Sequence, residues 1–177
     1  DSEILQFMRR QAEIGIELAD AIIMVTDVKV GLTAADAAVA TILQRSRKPV
    51  ILAVTDKETR DELSDLNRKA GGWKEGFDPF YGAPVVISVL TPKDWDKGVE
   101  DGSLAIGQML LAAHALGLGG CWIHRAKEVF ETEEGKEILK KAGLEGEYLG
   151  IGNLVIGYAD QQPKAAPRKA GRAFFIK

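Results

Sequence analysis

Two apolar, β-branched runs, AIIMV at 21–25 and VILAV at 50–54, stand one helix-length apart, and that spacing constrains the fold most. Each run is too short for a helix and lacks polar alternate positions, so each reads as a strand buried on both faces. Between them, Thr33 with Asp36 three residues on gives a capped helix start, and Ala35, Val39, Ile42 and Leu43 supply its apolar stripe. Lys48–Pro49 ends it. Strand, helix and strand over this length predict a parallel pair with a right-handed crossover.

The rest of the chain continues the pattern. Residues 3–19 have roughly helical spacing, 57–70 read as a polar helix with Leu63 and Leu66 inward, and 71–84 read as a Gly- and aromatic-rich loop. Strands are expected at 84–90, 121–124 and 150–158. The segment 98–117 is apolar nearly all round and predicts a core helix. Residues 127–143 read as an amphipathic helix, with a break near Gly135. The expected class is α/β: three layers, a mixed sheet of about five strands, helices on both faces, and an N-terminal βαβ unit. No linker or repeat divides 1–177, which reads as one domain; the Pro-containing basic tail reads as an extended arm.

Composition narrows the function classes. With 46% hydrophobic and 28% charged residues the chain can build a core, and its net charge of −3 argues against nucleic acid as a partner. The run Met109–Leu118 is too short to span a bilayer, so no membrane partner is expected. One cysteine and two histidines give no metal-ligand set. No apolar leader with a small-residue cleavage site is read at the start, so the expected setting is cytoplasmic.

Candidate sites carry bland alternatives. Gly150-Ile151-Gly152 lacks the third glycine of a dinucleotide fingerprint, Val155 standing in its place, and reads better as a strand passing close to another backbone. No phosphate-binding G-x-x-x-x-G-K-[ST] loop occurs. Gly117–Ile123 joins helix to strand; its glycines suit either a backbone approached by a planar or anionic ligand, or a helix cap and tight turn. Cys121 and His114 sit in apolar runs and are expected to be buried, the thiol inert and the imidazole packed. His124–Arg125, at a strand end, is more open to function. Arg168 and Lys169 follow Pro167 in the arm and suit either a phosphate or plain solvation. The acidic run Glu128–Glu134 reads as a solvated helix face.

Two family resemblances follow from longer stretches. DPFYGAPVVISVL (78–90), VEDGSLAIGQMLLAAHALGLGGCWIHRAKEVF (99–130), LGIGNLVIGYAD (149–160) and AAPRK (165–169) resemble the FMN-dependent nitroreductase family, in order and spacing, over about 56–170. RRQAEIGIELADAIIMVTDVKVGLTAADAAVATILQRSRKPVILAVT (9–55) resembles the EngA-type (Der) tandem GTPases after their second switch, over about 3–54. The two patterns meet near Val54–Lys57, giving a GTPase-like part, 1–54, and a nitroreductase-like part, 55–177.

The GTPase resemblance implies no GTP site, because the phosphate loop is absent and Val54-Thr55-Asp56-Lys57 stands where Asn-Lys-x-Asp should follow. The nitroreductase resemblance implies an FMN site, with Gly120, Cys121, Trp122 and Ile123 beside the isoalloxazine ring and Arg168 and Lys169 on the phosphate. It implies no catalytic side chain, since the cofactor does the hydride chemistry, and a homodimer through the helix 98–117 and the tail. The family's N-terminal Arg-rich and Asn-x-Gln-Pro-Trp segments are absent. Losing three charge-assisted bonds costs roughly 5–9 kcal/mol, which weakens or abolishes FMN binding. Two patterns meeting with neither site whole read as an engineered chimera without natural function, built to test fragment recombination or fold change. The alternative is an FMN-binding oxidoreductase using NAD(P)H.

Overall fold

The computed structural model describes residues 10, 14–15, 22–24, 48–167, 171 and 176. The expected first helix lies almost wholly outside these residues, and the expected helix at 33–46 wholly so. The described elements are β1 (Ile22–Met24), β2 (Val50–Val54), α1 (Lys57–Gly71), β3 (Val85–Pro92), α2 (Gly98–Ala115), β4 (Gly119–Ile123), α3 (Ala126–Phe130), α4 (Glu133–Lys141) and β5 (Tyr148–Gly157).

The sheet order is β1-β2-β3-β5-β4. Four strands, β2, β3, β5 and β4, pair antiparallel with their neighbours, and β1 pairs parallel with β2, Ile23 opposite Ile51. Strand alternation separates two cores. Val50, Leu52, Val54, Val86 and Val155 point to the side covered by α1, α3 and α4, joining Leu63, Phe80, Val129, Phe130 and Leu139. Ile51, Val89 and Leu154 point to the other side and meet Ile106 of α2. Helices therefore cover both faces of an α/β sheet.

One irregularity bends the centre. Val89 pairs with Gly152 but Leu90 with Gly150, so Ile151 is an extra residue in β5, a β-bulge. The glycines there answer to close approaches: a Cβ on Gly150 would lie 2.4 Å from the Ala126 carbonyl oxygen, and one on Gly152 would lie 2.5 Å from Trp122 Nε1. This is the close backbone passage expected for Gly150-Ile151-Gly152. Gly150→Ala is expected to cost about 1–3 kcal/mol by pushing α3 off the sheet. A thermal melt checks it: the midpoint falls by about 2–4 °C per kcal/mol for a chain of this size.

A buried polar chain pins α1 to the sheet. Ser88 Oγ donates to Asn153 Oδ1 at 2.7 Å, and Asn153 Nδ2 reaches Asn67 Oδ1 at 3.4 Å. All three residues are buried. A mispacked α1 would leave these groups unpaired, so the chain favours one placement of the helix.

Two expectations are corrected and a third is met. The helix 98–117 is not enclosed: Gly98, Gly102, Ile106 and Ala113 face the sheet, while Leu104 and Leu111 are each 67% exposed and Val99 is also exposed. An apolar helix surface needs a cover to become core, and no described segment lies over this side. His114, on the same outer side, is accordingly exposed rather than packed. The segment 127–143 does break near Gly135 as expected, at Glu131–Thr132, because Thr132 caps α4 by accepting from Gly135 N at 3.0 Å.

Candidate functional site

A cleft of about 550 Å³ opens where β4 leaves the sheet. One side is β4 and its continuation: Cys121, Trp122 and Ile123, then His124 and Arg125. The other is the connection between α1 and β3, which supplies Trp73, Phe77, Pro79 and Tyr81. Lys127, Glu128 and Ile151 complete the lining.

The aromatic side is a contiguous row. Trp73 and Phe77 have ring centroids 5.6 Å apart, and Phe77 meets Tyr81 edge-on at 6.2 Å. Such offset and edge contacts hold flat side chains in fixed relative orientation. Tyr81 is 70% exposed, so its ring is available to a ligand. The row can form because helix α1 ends at Gly72, whose φ of 68° reverses the chain. Arg68 Nη1 then donates to the Trp73 carbonyl at 3.3 Å.

Two non-glycine residues have positive φ, Tyr81 at 53° and Arg125 at 80°, among the described residues. Both line the cleft. Such backbone costs about 1–3 kcal/mol per residue and persists only where surrounding contacts fix it. Arg125 precedes α3, and its Nη1 donates to Glu128 Oε1 at 2.8 Å. That bond, with a backbone N–H and the nearby cations, holds the Glu128 carboxyl below its ordinary range. Arg125 and Lys127 against Glu128 leave the rim with one net positive charge.

The connection is tied to α1 through Asp78. Its carboxylate accepts from Arg60 Nη2, Ser64 Oγ, Phe80 N and Gly82 N. Burial pushes the Asp78 carboxyl up, but the bonds from Arg60, Ser64, Gly82 and Phe80 together outweigh it and bring it down to about 2. A depressed carboxylate contributes stability that is present above its unfolded value, near 3.8, and lost as pH falls toward about 2. With the side chain 32% exposed, screening leaves about 1–2 kcal/mol. Acid titration of wild type and Asp78→Asn checks this: their stabilities are expected to converge between pH 4 and 2.

The expected site residues are distributed as follows. Cys121, Trp122 and Ile123 line the cleft. Gly120 directly precedes them, and a Cβ there would meet Leu110 of α2 at 3.1 Å. Arg168 and Lys169 lie outside the described residues. Cys121 is exposed rather than buried, because β4 is an edge strand and its outward side faces the cleft. A thiol reagent is therefore expected to label native Cys121 fully, and a cleft ligand to slow that labelling at least tenfold. His124 and Arg125, expected from their strand-end position to be open to function, both line the cleft. Trp73, Phe77 and Tyr81 are not marked individually by the sequence; the available signal is four aromatics within nine residues of a glycine-rich loop, one of them the buried Phe80. Among the described residues, no cluster of metal-ligating side chains occurs and no helix is long and apolar enough to cross a membrane.

Solved structures with this architecture include a nitroreductase with bound FMN from Bacteroides fragilis, at TM-score 0.66 and 20% identity, covering 100% of both chains. An FMN-dependent nitroreductase from Clostridium difficile matches at TM-score 0.58 and 27% identity, covering 92% of this chain and 98% of that one. Curated relatives by sequence are of another kind. GTPase Der from Acetivibrio thermocellus is 52% identical over 63 residues, 36% of this chain. GTPase Der from Clostridium perfringens is 59% identical over 85 residues, 48% of this chain. The chain spans only 14% and 18% of those two proteins' lengths. The fold likeness and the short GTPase likeness together give the chain a chimeric character. The family model described as the nitroreductase family matches residues 17–158, which is most of the sequence and runs through the point where the two patterns meet, and the chain belongs to that family.

Proposed function

We propose that the cleft holds FMN and that the chain is an FMN-dependent oxidoreductase, taking hydride from NAD(P)H and passing it to a nitro or quinone acceptor. The observation that carries this reading is the aromatic-walled cleft at the end of β4, in a chain of the nitroreductase family. Its volume suits a flat cofactor ring: ligand sites run to about 300–1,000 Å³ and combine apolar walls with a few polar groups. The Clostridium difficile FMN-dependent nitroreductase, at 27% identity, supports the choice of cofactor.

In this reading Gly120, Cys121, Trp122 and Ile123 run beside the ring, and the Trp73–Phe77–Tyr81 row excludes water from its other side. Arg168 and Lys169 take the phosphate. The cofactor, when bound, supplies the hydride chemistry. The chain's own residues bind, orient and shield it, and none is assigned a catalytic step. The outward row of α2, Val99, Leu104 and Leu111, gives a homodimer an apolar surface to bury. The whole chain acts as one domain, since Val50, Leu52 and Val54 of β2 share a core with Phe80, Val86 and Val129. The proposed setting is cytoplasmic, with no nucleic-acid partner and no GTP turnover.

A second reading is an engineered join of two parents that folds without activity. The short stretches 52–59% identical to GTPase Der favour it. The experiment that separates the two is anaerobic addition of NAD(P)H to FMN-loaded protein, followed by a nitroaromatic. Bleaching of the flavin absorbance and its return with the acceptor supports the enzyme. Bound flavin that NAD(P)H never reduces supports the inactive join.

A further inference from the structure

We infer that Asp78 is the positioning residue of the cleft: its carboxylate fastens the aromatic connection to α1 and so sets where Trp73, Phe77 and Tyr81 stand. The inference rests on the cleft being a ligand site, and two of its three tests do not depend on flavin.

Residues 72–84 form no helix or strand, and most of their own backbone bonds are short-range turns, such as Tyr81 N to the Asp78 carbonyl and Ala83 N to the Phe80 carbonyl. Turns of this kind shape a loop but do not fix it to the body. Three contacts do. Phe80 is fully buried in the core. Arg60 Nε donates to the Ala83 carbonyl at 3.1 Å, while its guanidinium lies 5.7 Å from the centre of the Phe80 ring. The Asp78 carboxylate joins the two sides directly. It takes Ser64 Oγ at 2.6 Å and Arg60 from α1, and Phe80 N at 2.9 Å and Gly82 N at 2.7 Å from the connection.

The two amides it holds flank Tyr81, whose φ is 53°. A non-glycine residue relaxes out of the left-handed region unless neighbours hold it there. The carboxylate clamps the residue before and the residue after, leaving Tyr81 no route to relax. Asp78 itself does not line the cleft, whereas Phe77, Pro79 and Tyr81 around it do. Its effect on a ligand therefore passes through them. An amide in its place cannot serve, because one of its two terminal groups donates, and four donors already converge on the carboxylate.

The test compares wild type with Asp78→Asn and Ser64→Ala, with Glu137→Gln as control, since Glu137 pairs with Lys140 on α4 and does not line the cleft. Three readouts are taken well below the melting point. Native trypsin cleavage after Lys74 is expected to rise at least tenfold in Asp78→Asn. The near-ultraviolet circular dichroism of the aromatic row is expected to fall while the far-ultraviolet spectrum is kept. The dissociation constant for FMN is expected to rise at least tenfold. Ser64→Ala keeps the charge and loses one bond, so it moves all three the same way by several-fold, and it serves if Asp78→Asn fails to fold. Wild-type cleavage rates and near-ultraviolet signal in both variants overturn the inference, as does a loss confined to global stability. Wild type that takes no FMN defeats the flavin reading alone, because proteolysis and dichroism still report on Asp78.

Discussion

Phe80→Ala is expected to remove about 3–5 kcal/mol of stability, a large share of what a domain of this size has. Phe80 is fully buried, and it packs with β2, β3 and α3 in the larger of the two cores. Its loss leaves a cavity that β-strands on one side and a short helix on the other cannot close. It also removes the ring beneath Arg60, whose guanidinium holds both Asp78 and the Ala83 carbonyl. Core and cleft are thus coupled through one side chain. Chemical denaturation checks the magnitude, and the midpoint is expected to fall with little change in the slope. A drop under 1 kcal/mol would mean that the connection 72–84 does not anchor through Phe80.

The second large effect concerns Arg168 and Lys169. Arg168→Ala with Lys169→Ala is expected to weaken FMN binding about 100-fold or more, each charge-assisted bond contributing roughly 1.5–3 kcal/mol. Riboflavin, which lacks the phosphate, is expected to bind wild type and variant alike. That pair of ligands separates loss of a phosphate contact from loss of the site. Equal FMN affinities in wild type and variant would remove Arg168 and Lys169 from the site and leave Arg125 and Lys127 at the rim to account for anion binding.

The sheet was legible in the sequence because its signals are local. VILAV and PVVISVL are apolar, β-branched and bounded by turns, and they became β2 and β3. Residues 57–70 gave α1 almost to the residue, since Asp56 caps its start and Gly72 its end. The exposed side of α2 was not legible in its own composition, although the family resemblance implies a partner for this helix. An apolar helix is written the same way whether its neighbours belong to the same chain or to another, so Leu104 and Leu111 carry no mark of being outside. The cleft was half legible. Cys121, Trp122 and Ile123 were found through a family pattern, but the facing row lies some 40–50 residues earlier in the chain. The Asp78 bonds, the Arg60–Ala83 and Arg68–Trp73 bonds and the burial of Phe80 bring it across, and they draw on Arg60, Ser64 and Arg68, polar residues of a helix whose sequence pattern marks only Leu63 and Leu66 as inward. The Ser88–Asn153–Asn67 chain was hidden for a like reason: one polar residue in each of three elements means nothing until the elements meet.

The decisive measurement is an equilibrium titration of the purified chain with FMN, followed by flavin fluorescence and absorbance, with the stoichiometry fixed by cofactor released on denaturation. Saturable binding of one FMN per chain is expected, with a dissociation constant of about a micromolar to tens of micromolar, or about −8 to −6 kcal/mol. Quenching of Trp73 on binding is expected with it, since Trp73 lines the cleft. No saturation at millimolar FMN would contradict the flavin reading, and the cleft between β4 and the aromatic row would then not be a flavin site.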